Sequence, residues 1–556
     1  MASKYLIGLD IGTSGAKCIL VDDKGAVLAS STQEYPLSTP KPGWAEQNPQ
    51  DWWDAVVRGL KVILPKANVP KDQIAGVSFS GQMHGLVALD KDLNVIRPAI
   101  LWCDSRTQKQ CDWITEKAGG LSGLLTYTNN QMLAGYTGGK LIWFKEEEPE
   151  LFAKMTRFIC PKDYIRLKVC GEVAIDASDA SGTGFFNTRE RVWADDLIAL
   201  AGLDKAIFPD VLESTDLAGR VTRACAEETG LPEGLPVYAG GGDAVIQTTG
   251  AGLVKPGVVG VVIGTAGNVS MALDRYFDNP KGALQMFCNN APGLWQAIGC
   301  TLSAGGSYRW YRDTLCEHLK EMAAQGKGNV YDLMGKAAEQ SRPGANGVLF
   351  APYMSGERCP YPDPNARGVF YGLSLSSTRG DITRAVMEGV TYSLRQLVDL
   401  MNSFVSIEKV YTSGGGSVSP LWRQMQADIF KLPVYTMSAA SEGGAYGAIL
   451  VAAPSWAVGT ALGVVVGNLL PARVVSALSV ALYGMFLAII IPPARKNKVV
   501  AALVLLSFAL SFACGRLPLV SSLSSGTRTI LLTVALSAGA ALLFPVKDAE
   551  KEGNAP

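Results

Sequence analysis

Histidine is nearly missing from this 556-residue chain, which has only His84 and His318. That scarcity argues against a His-rich metal site and against a Ser-His-Asp hydrolase. Charge is thin as well: 18% of residues are Asp, Glu, Lys or Arg, against about 25% in ordinary globular domains. The formal net charge is zero, so the basic excess expected of a nucleic-acid-binding protein is absent. The 11 cysteines show no close pairing and read as reduced thiols. No Gly-x-x-x-x-Gly-Lys-Ser/Thr loop occurs, and no dinucleotide fingerprint follows the first apolar run. Residues 1–29 lack a long apolar core followed by a small-residue cleavage site, so no signal peptide is expected there.

The zero charge is a sum of two unlike parts. Residues 1–452 carry 42 basic and 47 acidic groups, whereas residues 453–556 carry 8 basic and 3 acidic groups. Between Ser455 and Val546 there is no Asp, Glu or His, and apolar runs lie at 456–470, 474–491, 499–514 and 529–544. Each is somewhat shorter than the ~20 residues that cross a bilayer straight. Buried core helices are the other reading, but four in succession without an acid favour membrane segments. The loop Arg495–Lys498 is the most basic and is expected on the cytoplasmic side of an inner membrane. An even number of crossings then leaves both the preceding body and the polar tail, Lys547–Pro556, in the cytoplasm.

At ~100–200 residues per domain the length predicts two to four domains. Strands are expected at Tyr5–Asp10, Ala16–Val21, Ala26–Ser30, Ile74–Ser80, Val87–Leu89 and Ala99–Trp102, with helices at Ala55–Leu64 and Gly139–Phe144. A second cycle opens near Pro256, where Val258–Ile263 enters a small-residue turn followed by Asn268–Leu273. Val348–Ala351 and Lys409–Thr412 read as later strands, and Thr383–Met401 as a strongly periodic helix. Two similar α/β lobes are therefore expected, at residues 1–252 and 253–452, with an all-α membrane-like segment over 453–556.

Four glycine-containing turns are candidates for chemistry. Asp10-Ile11-Gly12-Thr13-Ser14-Gly15 sets a carboxylate at a strand end beside a turn whose N–H groups can approach phosphate. Gly264-Thr265-Ala266-Gly267 offers a second such nest. Thr412-Ser413-Gly414-Gly415-Gly416-Ser417 ends a strand and could present bare backbone to a flat ring. Gly240-Gly241-Gly242-Asp243 clears space around a carboxylate at the lobe boundary, where clefts form. Taken singly, each reads equally as a plain turn, and Asp243 as a solvated helix cap. His84 alone could be a buried hydrogen-bonded side chain, and His318 a helix-surface residue.

In order, these elements resemble the FGGY carbohydrate kinases of the actin/hexokinase superfamily, over residues 5–450. The resemblance rests on Leu9–Ser14, Trp44-Ala45-Glu46-Gln47, Gly81-Gln82-Met83-His84-Gly85, Ala99–Asp104, Pro161-Lys162-Asp163-Tyr164, Gly240–Asp243, Gly264-Thr265, Tyr353–Arg358 and Gly414–Gly416. It implies two ribonuclease H-like lobes around a cleft, and an ATP- and Mg²⁺-dependent kinase acting on a small sugar. The Gln-Met-His-Gly run implies a ketopentose, D-xylulose first, phosphorylated at its terminal (5-) hydroxyl. By the same resemblance Asp243 is the general base, and Asp10 holds the Mg²⁺–phosphate complex. Gly12, Thr13, Ser14, Gly264 and Thr265 meet phosphate, while Gly414, Gly415 and Gly416 pack on adenosine. Gln82, Met83, His84, Trp102 and Asp104 line the sugar site. Where the xylulose-acting members usually carry Asn after the base, this chain has Ala244, so another ketose or polyol, such as ribulose, is an alternative substrate.

Beyond Gly443–Ala448 the family's second lobe continues, whereas here Val451 leads into unrelated sequence. Pro454–Val546 resembles the C-terminal membrane segments of azaleucine-resistance-type (AzlC-type) branched-chain amino acid permeases, notably Leu478–Pro493 and Ser521–Val546. A chimeric join near Ala452 is the expected origin. On that view an inactive, membrane-anchored chimera is the non-enzymatic alternative.

Overall fold

A computed structural model of the chain describes residues 4–436, Ala445 and residues 447–450. The four apolar runs, the polar tail and the join near Ala452 lie outside the described residues. Among the described residues no helix is long and apolar enough to cross a membrane.

The first sheet starts with three antiparallel strands, β1 (Tyr5–Ile11), β2 (Gly15–Asp22) and β3 (Val27–Glu34). Helix α1 (Pro49–Ala67) then crosses over to β4 (Ile74–Gly81), which lies parallel to β1. Asn48 caps α1 by accepting from the N–H of Gln50, and Pro49 occupies the first turn, where a missing N–H costs nothing. After a helical insertion containing α2 (Thr137–Glu147), α3 (Pro161–Cys170) and α4 (Ala177–Ser181), the chain returns as β5 (Leu217–Arg220), β6 (Pro236–Tyr238) and β7 (Gly241–Gly242). The strand order is β5-β6-β4-β1-β2-β3, with β7 pairing β4. Helix α5 (Asp243–Gly250) follows β7 directly.

Strand β1 is apolar along most of its length because both of its faces are covered. On one face Ile7, Leu9 and Ile11 share a core with Trp52, Val56, Leu60 and Ile63 of α1. On the other, Leu6, Ile19 and Val21 pack against Ala445 and Ile449. Gly8 permits that second contact, since a Cβ there would lie 2.2 Å from the Ala445 carbonyl oxygen.

The second sheet contains β8 (Val258–Ile263), β9 (Gly267–Leu273), β10 (Gln285–Cys288), β11 (Trp295–Thr301), β12 (Lys409–Ser413) and β13 (Val434–Thr436), in the order β10-β11-β9-β8-β12-β13. Two helices flank its ligand-side turns: α6 (Gly305–Leu315) and the long α7 (Arg379–Asn402). Thr378 and Asp381 form a capping box at the start of α7. Leu394 and Leu397 of that helix fill the space left by Gly267 and Gly299. The strand pattern thus repeats, antiparallel pair and then a parallel neighbour, around two hydrophobic cores.

Expected and observed elements differ mainly at their ends. The Ala99–Trp102 strand shrinks to Ala99–Ile100, leaving Trp102 exposed in the following turn. Gly241 and Gly242 are strand residues rather than turn residues, because they pair with Ser80 and Gly81. Asp243 accordingly opens a helix as its first residue, with Gly242 as the cap.

Beneath β4 and β7 lies a cluster of five charged side chains with no exposure at all. Lys162 Nζ is 2.6 Å from Asp163, 2.8 Å from Asp176 and 3.1 Å from Asp179, and Arg166 is 2.9 Å from Asp163. Three carboxylates face two cations. Burial, opposed by Lys162 but reinforced by Asp176 and Asp163, drives the Asp179 carboxyl well above the usual range. Removing one partner of such a group strands a buried charge and costs about 3–5 kcal/mol. The expected consequence is that Lys162→Met unfolds several degrees lower in a thermal melt followed by circular dichroism, whereas Lys24→Met, on an exposed turn, leaves the midpoint unchanged.

Candidate active site

The pairing of parallel strands brings the candidate residues together. Asp10 sits opposite Ser80, and Ser80 sits opposite Gly241. Asp10 and Asp243 therefore emerge from the carboxyl ends of β1 and β7, which flank β4 and run parallel to it, the end at which open α/β sheets bind ligands. Ser80 Oγ donates to Asp10 Oδ1 at 2.7 Å. Burial raises the Asp10 pKa despite that hydrogen bond and the charge of Lys17.

The turn after β1 is held from several sides. Gly12 N–H closes it on the Gly15 carbonyl, and the Gly12 carbonyl accepts from Tyr35 Oη and from Gln82 Nε2. The Thr13 carbonyl accepts from Gln47 Nε2 at 2.8 Å. Thr13 Oγ1 donates to Gln82 Oε1 at 3.4 Å and accepts from Trp102 Nε1 at 2.9 Å. Gln82 is thus a buried brace for the turn. Ser14 stands exposed at the tip.

Asp243 accepts backbone hydrogen bonds from Ala244 and Met83, yet its carboxyl is pushed up to about 7. Burial is the larger cause, and the neighbouring charge of Asp10 is the second. Two carboxylates that feel each other's charge, one of them near neutrality, form a pair of the kind that handles protons at working pH. Carboxylate oxygens at a strand end also suit a hard divalent cation such as Mg²⁺, and the burial that disfavours charge on Asp10 is what such an ion would relieve. Ala244 is exposed beside Asp243.

Met83 and His84 form the wall facing this pair. His84 has a left-handed backbone (φ 68°), fixed by two donors to its carbonyl: Lys140 Nζ at 2.7 Å and Thr137 Oγ1 at 3.1 Å. Burial lowers the His84 pKa to about 3, so the ring is neutral. Its Nδ1 lies 2.7 Å from the Gly182 carbonyl oxygen, which can only accept. The proton therefore sits on Nδ1, and Nε2 is left as an acceptor. Tyr136 stacks on the imidazole with centroids 4.5 Å apart. Met83 and Tyr136 share a cluster with Val245 of α5 and with Phe287 and Ile298 of the second sheet. This apolar cluster is built from both sheets.

Asp104 is not brought to this pocket as a free acceptor. Its oxygens accept from Ala45 N at 2.6 Å, and from Arg106 Nε and Nη2 at 2.9 and 2.6 Å. Bidentate pairing with Arg106, which itself lies over the Trp44 ring, gives Asp104 a structural task. Trp102 reaches the site through Thr13 instead.

In the second sheet, β8 and β12 are parallel neighbours, with Val262 opposite Ser413. Their carboxyl ends carry Gly264–Gly267 and Gly414–Gly416 side by side. Gly305 and Gly306, at the start of α6, donate to the carbonyls of Gly264 and Thr265 at 2.7 and 3.0 Å. Thr265 is exposed. Gly414 has φ 79°, and a Cβ there would lie 2.7 Å from the Ile263 carbonyl oxygen. Gly416 lies against the Ile263 side chain in the same way. These glycines let the loop close on β8.

Sequence reasoning did not single out Ser80, Tyr136, Lys140, Gly305 or Gly306. Only Ser80 left a readable signal, two residues before Gln82 at the end of an apolar strand. The others act through contacts remote in sequence.

The model of the N-terminal domain of the FGGY family of carbohydrate kinases matches residues 5–250, and that of the C-terminal domain matches residues 259–456. A protein of Bacillus subtilis named xylulose kinase is 38% identical over 451 residues, which is 81% of this chain and 88% of that one. Another of that name, from Lactococcus lactis, is 37% identical over 454 residues, 81% of this chain and 87% of the relative. The crystal structure of xylulose kinase from Rhodospirillum rubrum matches with a TM-score of 0.74 at 30% identity, over 81% of this chain and 89% of that one. Both domain models, in order, and relatives covered over nearly their whole length lead to one conclusion: the chain belongs to the FGGY family of carbohydrate kinases.

Proposed function

We propose that the chain transfers the γ-phosphoryl group of ATP to the terminal hydroxyl of a ketopentose, D-xylulose, with Asp243 as general base. One observation carries the reading: a carboxyl poised near neutrality and within the field of a second carboxylate, at the carboxyl ends of the two strands that flank β4. The names of the relatives support xylulose as the sugar.

Phosphoryl transfer asks the protein chiefly for positioning and charge stabilisation. Met83 and the free Nε2 of His84 orient the sugar, the latter by accepting from a hydroxyl. Ionised Asp243 takes the proton from the hydroxyl oxygen as that oxygen bonds to the γ-phosphorus and the bond to the ADP oxygen breaks. The N–H groups of Thr13, Ser14 and Thr265 face the phosphates, while those of Gly12 and Gly264 close their own turns, and Gly414–Gly416 give adenosine a surface without side chains. Asp10 would hold Mg²⁺, which when bound neutralises charge on the phosphates. Ala244 has no amide to meet the sugar, so neighbouring groups carry its recognition.

We also propose that residues 456–544 associate with a lipid bilayer as permease-like segments. Four apolar runs without Asp, Glu or His support this.

Four measurements test these statements. Asp243→Asn loses roughly 10²–10⁴-fold in sugar-dependent ADP formation, and an unchanged rate would falsify the assignment of the base. The base must be ionised, so kcat/KM falls as pH drops through about 7; a profile flat from pH 5 to 8 is incompatible with it. In a panel of xylulose, ribulose and glycerol, xylulose gives the highest kcat/KM, and a preference for ribulose would transfer the activity to that sugar. The full chain sediments with membranes after cell lysis, and recovery entirely in the soluble fraction rules out the bilayer reading.

A further inference from the structure

The Gly241–Gly242 strand that delivers Asp243 is too short to orient it alone. It makes two ladder pairs and has no side chain to pack. Three fixed groups lie behind the segment: the Arg166 guanidinium donates to the Ala239 carbonyl, Gly240 N–H donates to the Ser214 carbonyl, and Gly242 N–H donates to Ser178 Oγ at 2.9 Å. Only the last touches the residue directly bonded to Asp243, and it is made by a side chain.

The polarity of that contact is determined by what stands behind it. Ser178 Oγ is 2.5 Å from Asp176 Oδ2. Asp176 is fully buried, but the charge of Lys162 and the hydrogen bonds from Lys162 and Ser178 more than offset burial and keep it ionised. An ionised carboxylate only accepts, so the Ser178 hydroxyl must donate to it. Its lone pair is thereby aimed at Gly242 N–H. Asp176 is itself held by Lys162 at 2.8 Å, by Ser214 Oγ at 2.9 Å and by Ser178 N–H at 2.9 Å.

We propose that Ser178 is a positioning residue for the phosphoryl transfer, transmitting the fixed geometry of the Asp176–Lys162 pair through Gly242 to the Asp243 carboxylate. The proposal rests on the kinase reading above. Ser178 is fully buried, so its removal should misplace the base without weakening substrate binding. A 1 Å misplacement can cost ~10²-fold in rate.

Ser214 supplies the matched control. It is equally buried and donates to the same oxygen of Asp176, but its hydroxyl does not touch Gly242. The test is steady-state kinetics of the full chain with ATP and xylulose for the parent, Ser178→Ala and Ser214→Ala, with a thermal melt of each. Ser178→Ala is expected to lose roughly tenfold or more in kcat, with both KM values within about twofold of the parent. Ser214→Ala should keep kcat within about twofold. Should Ser178→Ala not fold, Ser178→Cys replaces it, since a thiol fills the space but accepts weakly, and the same fall in kcat is expected. An unaltered kcat in the Ser178 variant overturns the proposal, as does an equal loss in both variants, or a loss confined to KM. A parent without any sugar-dependent ATP turnover overturns the kinase reading first, and the proposal with it.

Discussion

The backbone that delivers Asp243 is referred to one fully buried cation. Lys162 gathers Asp163, Asp176 and Asp179 on its ammonium group, and its Cβ stands where a side chain on Gly81 would lie. Asp176 holds Ser178, which binds Gly242, and Asp163 pairs with Arg166, which binds the Ala239 carbonyl, so both reach the segment that ends at Asp243. A buried ion pair contributes little to net stability because desolvation opposes the Coulomb attraction. Its effect is geometric: groups that are costly to leave unpaired tolerate only one arrangement. That is useful under a glycine strand, where side-chain packing cannot fix the backbone.

The two sheets solve the same problem with different materials. In the first, carboxylates rise from the ends of β1 and β7, and the turn between them and solvent is braced by Gln82 and Gln47. In the second, the corresponding ends of β8 and β12 carry no carboxylate, only glycine and small residues packed on Ile263. One set of strand ends suits a metal and a proton; the other suits phosphate oxygens and a flat ring. This division follows from the residue types, and the parallel registers place each set at a carboxyl edge.

Much of this was legible in the sequence, for identifiable reasons. The hairpin of β1 and β2, the strand Val258–Ile263 and the long helix α7 announce themselves by local periodicity, and they appear within a few residues of where it places them. Asp10, Gln82 and His84 stand in the compact motifs that marked them. What local pattern could not carry was the meaning of a side chain whose partner is distant. Asp104 looked like a sugar ligand until Arg106 and Ala45 were seen to take its oxygens. Lys162 was visible as part of a motif, but its partners Asp176 and Asp179 lie at the cap and in the first turn of another helix, α4. Lys140, buried and donating to carbonyls at positions 84 and 135, has no sequence signature, since a lysine normally reads as surface.

The body of the first lobe also depends on chain that returns from the second. Ala445 and Ile449 cover Leu6, Ile19 and Val21 on the open face of β1 and β2, and Ala448 packs on Ile246 of α5. Two glycines make the approach possible, Gly8 under Ala445 and Gly447 against the Ile246 carbonyl, where a Cβ would lie 2.1 Å away. The strand bearing Asp10 and the helix opened by Asp243 are thus clamped by one short segment. This segment immediately precedes the point where the chain turns abruptly apolar. The contacts of Ala445, Ala448 and Ile449 behind the strand of Asp10 and the helix of Asp243 are all made before residue 452.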